Sequence, residues 1–152
     1  MRLLIDTNVI LDVLLNRAEF GATAAKVLEL AETDSALEFV SASAITDIYY
    51  VIKRGLQTSD TQQESKSFQA QRIVGKLREV VTILPVTDAD IGYALALRWK
   101  DFEDAVQYAV ALANDIDYII TRNADDFELK YIPSVSPKQF LAIYAEKTAK
   151  LS

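Results

Sequence analysis

The fold is decided by the stretch RLLIDTNVI, which spans Arg2–Ile10. Its first residues form a short, continuous apolar run that ends at Asp6, and such a run predicts a buried strand of a parallel sheet. Apolar residues then recur at positions 9, 10, 13 and 14, which predicts a helix over Thr7–Arg17. A buried strand that passes directly into a helix is typical of an α/β protein.

The same alternation of strand and helix continues along the chain. Further continuous apolar runs predict strands over Leu37–Ser41, Val80–Leu84 and Tyr118–Thr121. Helical spacing of apolar residues predicts helices over Gly21–Thr33, Ser43–Leu56 (with Gly55 as its stop), Thr87–Leu97, Asp101–Asn114 and Ser136–Thr148. Residues 57–67 are polar, and they are either a loop or the start of a helix that ends near Glu79.

These elements predict a three-layer α/β/α sandwich with a central, mainly parallel sheet. Strands that are apolar throughout are buried on both faces, which requires helices on both sides of the sheet. At one helix start, Thr87 and Asp90 have the spacing of a capping box. The sequence contains no internal repeat, low-complexity tract or Pro/Gly-rich linker, so we assign residues 1–152 to a single domain.

Composition removes several kinds of chemistry. The chain contains no Cys and no His, which excludes disulfides, zinc–thiolate sites, thiol nucleophiles and serine–histidine triads. The net charge of −6 disfavours a simple basic groove for nucleic acid, but it is compatible with a metallonuclease, because bound divalent cations reverse the local charge. Asp6 comes too early for a signal peptide and no apolar run approaches ~20 residues, so we expect a cytoplasmic protein without a membrane segment.

Two aspartates stand at positions where chemistry is expected. Asp6 follows the predicted first strand, and ligands of parallel sheets bind outside the carboxyl ends of the strands. It either caps the next helix, a role that Thr7 could also fill, or it is a functional acid. Asp104 begins a nearly apolar helix, where a carboxylate needs a partner. Asp101 and Asp104 also fit an N-cap and N3 pair, and we assign the cap to Asp101 and function to Asp104.

Two further aspartates carry little information by themselves. Asp47 lies on the polar stripe of its predicted helix, which is typical of a solvated surface residue. Asp126 lies in a predicted loop and fits an ordinary turn acid equally well. The case for a joint site depends on the four aspartates together.

Four segments of the chain resemble, in family order, the motifs of the PIN-domain family. They are LIDTNVILD (Leu4–Asp12), SAITDIYY (Ser43–Tyr50), DFEDA (Asp101–Ala105) and the Thr-Arg-Asn…Asp-Phe pattern within Ile119–Phe127. The resemblance implies a metal-dependent ribonuclease that hydrolyses RNA phosphodiester bonds with Mg²⁺ or Mn²⁺, bound by Asp6, Asp47 and Asp104. It also implies a VapC-type toxin, with a small antitoxin protein as partner and a homodimer as a common assembly.

The sequence departs from the commoner family pattern at two positions. Asp47 stands where many members have Glu, and Asn123 stands where a fourth acid is frequent. We add Asp126 to the catalytic set, because three carboxylates leave a two-metal mechanism short of ligands. The alternative is that Asp126 caps the turn before Phe127, whose ring would anchor the loop to the core.

Carboxylates suit the hydrolysis of a phosphodiester without any histidine. Mg²⁺ and Mn²⁺ prefer oxygen ligands, and clustered acids without a cation repel one another, which raises the pKa of at least one of them. Candidates for orienting the acids or a water are Thr7, Asn8, Asp101, Thr121 and Asn123. Cations near the ends of the motifs are expected to steer RNA, namely Arg17, Lys53, Arg54, Lys100 and Arg122.

Three rival interpretations remain. A haloacid-dehalogenase-like phosphatase would need a second Asp where the chain has Asn8, and a receiver domain would need an acidic pair that is absent. A PIN fold that has lost hydrolysis, with Asn123 at the fourth-acid position, would instead be an RNA- or protein-binding module.

Overall fold

The computed structural model describes residues 1–33, 35–57, 64–128 and 131–152. These residues form five strands, which are β1 (Arg2–Ile5), β2 (Leu37–Ser41), β3 (Thr82–Leu84), β4 (Tyr118–Ile120) and β5 (Ser134–Val135). They also form the helices α1 (Thr7–Leu14), α2 (Gly21–Glu32), α3 (Ala42–Gly55), α4 (Lys66–Val80), α5 (Asp88–Leu97), α6 (Phe102–Ala113) and α7 (Pro137–Ala149). A 3₁₀ turn covers Ala124–Asp126.

The strands form one parallel sheet in the order β3-β2-β1-β4-β5. Leu4 in β1 is paired with Phe39 of β2 on one side and with Ile119 of β4 on the other. The chain leaves β1 towards β2 first and returns to its other side with β4, so the order of the strands switches at β1. The carboxyl end of β1 is therefore the position where an open α/β sheet has its binding crevice.

Alternate residues of the strands enter two separate cores. Leu3 and Ile5 pack in one core with residues of α1, α2, α3, α4 and α7, whereas Leu4 packs in the other core with residues of α5 and α6. Successive side chains of β1 therefore point to opposite faces of the sheet, as is usual in a strand. The sheet is the middle of three layers, which confirms the predicted α/β/α sandwich.

Helix starts agree with the local sequence pattern. Thr87 accepts a hydrogen bond from the backbone N–H of Asp90, whose carboxylate accepts one from the backbone N–H of Thr87, so the predicted capping box is confirmed. Helix α3 ends at Gly55, as predicted. Helix α4 begins at Lys66 after the cap Ser65, while residues 58–63 of the polar segment lie outside the described residues.

Strand β5 is absent from the sequence-based prediction. It has two residues, Ser134 and Val135, which is too short to produce a periodic pattern. Its pairing with Ile119 and Ile120 of β4 defines it instead. In the described ranges, no helix is both long enough and apolar enough to cross a membrane.

Candidate active site at the carboxyl edge of the sheet

Asp6 is the central acid of the site. It follows β1 directly and its side chain is buried, with 4% of the residue exposed. The residue occupies the N-cap position of α1, but its carboxylate makes no capping hydrogen bond. Thr121 instead donates its hydroxyl to Oδ2 at 2.8 Å, and Gln107 donates its amide Nε2 to Oδ1 at 2.9 Å. The cap interpretation is therefore wrong for the Asp6 side chain, and two donors fix its carboxylate in one orientation.

The two donors come from different elements. Thr121 follows β4, next to β1 in the sheet, and was predicted as an orienting residue. Gln107 lies on α6, one turn after Asp104, so both side chains fall on the same face of that helix. Gln107 was not predicted. The available signal was a lone amide inside a helix that is otherwise nearly apolar.

Asp104 is the second buried acid. Its backbone N–H donates to the Asp101 carboxylate at 3.0 Å, which confirms Asp101 as the cap of α6. Burial is the largest cause that raises the pKa of Asp104, and together with repulsion by Asp101, Asp6, Asp126 and Glu103 it brings this pKa to about 7. These carboxylates therefore share one electrostatic neighbourhood at the carboxyl edge of the sheet.

Glu103 is a member of this neighbourhood that the sequence analysis missed. It is half-buried, and its Oε1 accepts a hydrogen bond from the Thr7 hydroxyl at 2.9 Å. Burial raises the pKa of Glu103, the Thr7 hydrogen bond lowers it, and repulsion by Asp47, Asp6 and Asp101 raises it. Thr7 is the first residue of α1 and not its cap, so Thr7 orients Glu103. Asp47, although exposed on α3, lies close enough to Glu103 to repel it.

The loop after β4 carries the remaining predicted residues. Asp126 is exposed in the 3₁₀ turn, and its charge contributes to the raised pKa of Asp104. Phe127 is fully buried and packs edge-on against Trp99, so it anchors the loop to the core as expected. The Asn123 backbone donates to the Thr121 hydroxyl oxygen. Within the described ranges, no hydrogen bond joins the side-chain amide of Asn123 or Asn8 to an acid.

A sequence model of the family described as PIN domain matches residues 2–125 of the chain. The chain belongs to the PIN-domain family. No curated protein sequence matches this PIN domain.

Solved structures share the fold of this PIN domain at low sequence identity. A toxin–antitoxin complex from Klebsiella pneumoniae has a TM-score of 0.64 and 23% identity, over 88% of this chain and 96% of that chain. VapBC-1 from nontypeable Haemophilus influenzae has a TM-score of 0.65 and 17% identity, over 91% and 99%. VapC20 from Mycobacterium tuberculosis, described as a Sarcin-Ricin loop cleaving toxin, has a TM-score of 0.61 and 17% identity, over 82% and 92%.

The donor chemistry of this PIN domain fits a hard divalent cation. The titratable groups around Asp6 are carboxyls, and Mg²⁺ and Mn²⁺ prefer oxygen ligands. Gln107 Oε1 is buried without a hydrogen-bond partner among the described residues, so one further oxygen acceptor next to Asp6 is unsatisfied. Within those same residues, no three carboxyl groups are already arranged to hold a metal ion. Metal binding by Asp6, Asp47 and Asp104 therefore stays a prediction.

Two of the cations predicted to steer RNA, Arg17 and Arg122, instead form ion pairs with an aspartate of α1. Asp12 of α1 is fully buried, and it forms an ion pair with Arg17 at 3.0 Å and with Arg122 at 2.8 Å. A charge buried in this way needs such partners, because an isolated carboxylate is costly to remove from water. Arg17 and Arg122 thus stabilise Asp12, a contact that the sequence analysis did not predict.

Proposed function

We propose that this PIN domain is a Mg²⁺- or Mn²⁺-dependent endoribonuclease that hydrolyses phosphodiester bonds in RNA. The observation that supports it best is the buried Asp6 carboxylate, held by Thr121 and Gln107 in an acidic neighbourhood with Asp104. Folding stability alone gives no reason to gather acids that repel one another. A cation that they bind together would compensate for that cost.

Each acid has a proposed role. Asp6, Asp47 and Asp104 would hold the cation, and Glu103 and Asp126 would supply further carboxylates next to them. The chemistry supplied by a bound divalent cation is the acidification of water and the neutralisation of charge at the phosphate. Thr121 and Gln107 keep Asp6 in one orientation, so this ligand does not need to reorganise when the cation binds.

Asp104 gives the cluster a second property. Its raised pKa of about 7 means that a large share of the molecules retain the Asp104 proton at neutral pH when no cation is bound. Cation binding favours the charged carboxylate and therefore releases this proton. Binding is expected to become tighter as the pH rises through about 7.

A toxin role is the second part of the proposal. The similar solved structures include a toxin–antitoxin complex and VapBC-1, with which this chain shares the fold. On that likeness, we propose that the chain is the toxin of a pair, with a small antitoxin as partner and a homodimer as its assembly. Expression of the chain alone is expected to stop growth, and co-expression with a small open reading frame found beside its gene is expected to restore it if that frame encodes an antitoxin.

Cleavage of single-stranded RNA tests the hydrolysis directly. A fluorescent oligoribonucleotide is incubated with the wild-type protein in Mg²⁺, in Mn²⁺ and in EDTA, and cleavage is expected only with metal. Asp6→Asn is expected to abolish it. The matched control is Asp115→Asn, because Asp115 is exposed between α6 and β4 and has a positive φ that Asn also tolerates.

A PIN-fold binding module without hydrolysis is the second candidate. Asn123 at the fourth-acid position favours it, as does the lack of a ready-made ligand set among the described residues. The same assay separates the two functions. RNA that binds the wild-type protein but stays intact with either metal supports the binding module and refutes the nuclease.

A further inference from the structure

We propose that a cavity beside the acid cluster binds a nucleotide of single-stranded RNA through its phosphate, with Arg122 and Lys138 as the charged groups. The proposal rests on RNA as the substrate of the proposed function. It assigns a binding role to residues that lie outside the acid cluster. The supporting observations are the position, lining and charge of the cavity and the fixed orientation of Arg122.

The cavity adjoins the acids through the backbone. Arg122 directly follows Thr121, whose hydroxyl is bonded to Asp6. The cavity has a volume of about 520 Å³, which is within the range of small-ligand sites. Its lining includes Phe20, Thr23, Arg122, Asn123, Ser136 and Pro137. An adjacent cavity of about 660 Å³ shares Arg122, Ser136 and Lys138 with it, so the two form one continuous depression.

Arg122 is held in place before any ligand binds. Its Nε lies 2.8 Å from Oδ2 of Asp12, an ionic contact without the alignment of a hydrogen bond. Its guanidinium also lies over the ring of Phe20, 4.3 Å from the centroid. Among the described residues, no acid pairs with the two terminal nitrogens of Arg122, and 28% of its side chain is exposed. Those nitrogens can therefore donate to a phosphate.

The charges around the cavity favour an anion. Asp12 is shared between Arg17 and Arg122, so this buried group carries one net positive charge. Lys138 adds a second cation at the start of α7, where the helix dipole is also positive. The acids are Asp12 and Glu19 in the lining of the first cavity and Asp125 at the adjacent one; Asp12 is buried, and Glu19 and Asp125 are exposed. The lining of the first cavity contains two cations, Arg122 and Lys138, and two acids, Asp12 and Glu19. Arg17 pairs with Asp12 from outside the lining, so three cations face two acids around this cavity.

The mixed lining favours a nucleotide over a simple anion. Single-stranded RNA is bound by phosphate contacts together with stacking on aromatic rings or guanidinium planes. The Arg122–Phe20 pair offers both features in one place. A strand cut at the acid cluster must also continue away from it. In this proposal, the strand would continue through the depression that begins one residue after Thr121.

The test measures RNA binding without catalysis. A fluorescein-labelled single-stranded oligoribonucleotide is titrated in EDTA and followed by anisotropy at several salt concentrations. Lys138→Ala is expected to weaken binding roughly three- to tenfold and to reduce the salt dependence by about one phosphate contact, near 0.7 in the logarithmic slope. Lys150→Ala at the C-cap of the same helix, about 18 Å further along, is expected to bind like the wild type.

A second variant addresses Arg122 without removing the charge next to Asp12. Arg122→Lys retains the positive charge but lacks the planar guanidinium, so it is expected to weaken RNA binding as well. Thermal unfolding shows whether this variant folds. Since Lys138 is exposed and makes no described contact with the core, Lys138→Ala remains informative if Arg122→Lys does not fold.

Each outcome decides the proposal. If Lys138→Ala binds RNA with the affinity and the salt dependence of the wild type, the proposal is wrong. An octa-glutamate peptide that binds more tightly than RNA and requires Lys138 overturns it in favour of an acidic protein partner. If RNA binding depends on Lys138 but no metal stimulates cleavage, the RNA-binding role of the cavity is supported and the nuclease function is wrong. If the protein cleaves RNA but binding does not depend on Lys138, only the proposed role of the cavity is wrong.

Discussion

Thr121 donates its hydroxyl to Oδ2 of Asp6 at 2.8 Å, although the two residues are 115 positions apart in the sequence. Both are fully or almost fully buried at the carboxyl ends of the adjacent strands β4 and β1. The bond joins the beginning of the chain to its last quarter at the point where the strand order switches. Its removal is therefore expected to affect both stability and the proposed site.

Thr121→Val keeps the shape of the side chain and removes the donor. The Oδ2 atom of Asp6 then loses a hydrogen bond in a buried position, which is expected to cost about 1.5–3 kcal/mol of stability. Urea unfolding measures this change, and Mn²⁺ titration is expected to show weaker binding. Thr148→Val is the control, because Thr148 bonds only backbone carbonyls on an exposed face of α7. Equal stability of both variants would contradict a role for the Asp6 contact.

Asp104→Asn tests the second buried acid. The loss of a ligand charge is expected to lower metal-dependent RNA cleavage by about tenfold or more. The fold is expected to remain intact, and the stability without metal to be unchanged or slightly higher, because Asn relieves the repulsion by Asp101 and Asp6. If Asp104→Asn retains full metal-dependent cleavage, Asp104 has no catalytic role.

Asp104 also predicts a pH dependence of stability in EDTA. Its pKa is about 7 in the folded protein and 3.8 ordinarily, so the native state holds a proton that the unfolded chain releases. Stability is therefore expected to fall as the pH rises from about 4 to about 7. Thermal unfolding across this range is expected to show a smaller fall in Asp104→Asn. An identical pH profile in the variant would assign the dependence to other groups.

Glu38 predicts a pH effect in a different part of the protein. It is buried on β2 beside Leu3, and neither carboxyl oxygen has a hydrogen-bond partner among the described residues. Burial is the larger cause that raises the pKa of Glu38, and together with repulsion by Glu32 it brings this pKa to about 8. The native state therefore retains a proton that the unfolded chain releases above about 4.5, so stability falls as the pH rises towards about 8.

Glu38→Gln tests this effect, because an amide resembles the protonated acid but cannot ionise. The variant is expected to match the wild type near about pH 5 and to exceed it by at least about 1.4 kcal/mol near about pH 8, the value of one pKa unit. Glu29→Gln on the exposed face of α2 is the control. If Glu38→Gln shows the same loss of stability with pH as the wild type, Glu38 ionises without penalty.

Asn123 and Asp126 define the fourth-acid position. Asn123→Asp is expected to tighten Mn²⁺ binding, because it adds a carboxylate at the residue whose backbone N–H bonds the Thr121 hydroxyl. Asp126→Ala is expected to weaken RNA cleavage, because the Asp126 charge reaches Asp104. Mn²⁺ titration and cleavage assays measure both. If Asp126→Ala cleaves RNA normally, Asp126 has only a structural role in the turn before Phe127.

The parts of the site that could be predicted are those that a short local stretch of sequence indicates. Asp6 at a strand end and Asp101 as a helix cap are each identified from a few neighbouring residues, and both positions are confirmed. The contacts of Gln107 with Asp6 and of Thr7 with Glu103 span 101 and 96 positions. No local pattern indicates which residues meet across such distances. The pairing of Arg122 with buried Asp12 was missed for the same reason.

The central position of β1 has a consequence for synthesis of the protein. Asp6 is translated before its partners Gln107 and Thr121, which follow it by more than a hundred codons. A nascent chain that ends before α6 and β4 cannot orient the Asp6 carboxylate, whatever metal is present. For a protein proposed to cut RNA, this order delays the assembly of its proposed active site until the codons of α6 and β4 have been translated.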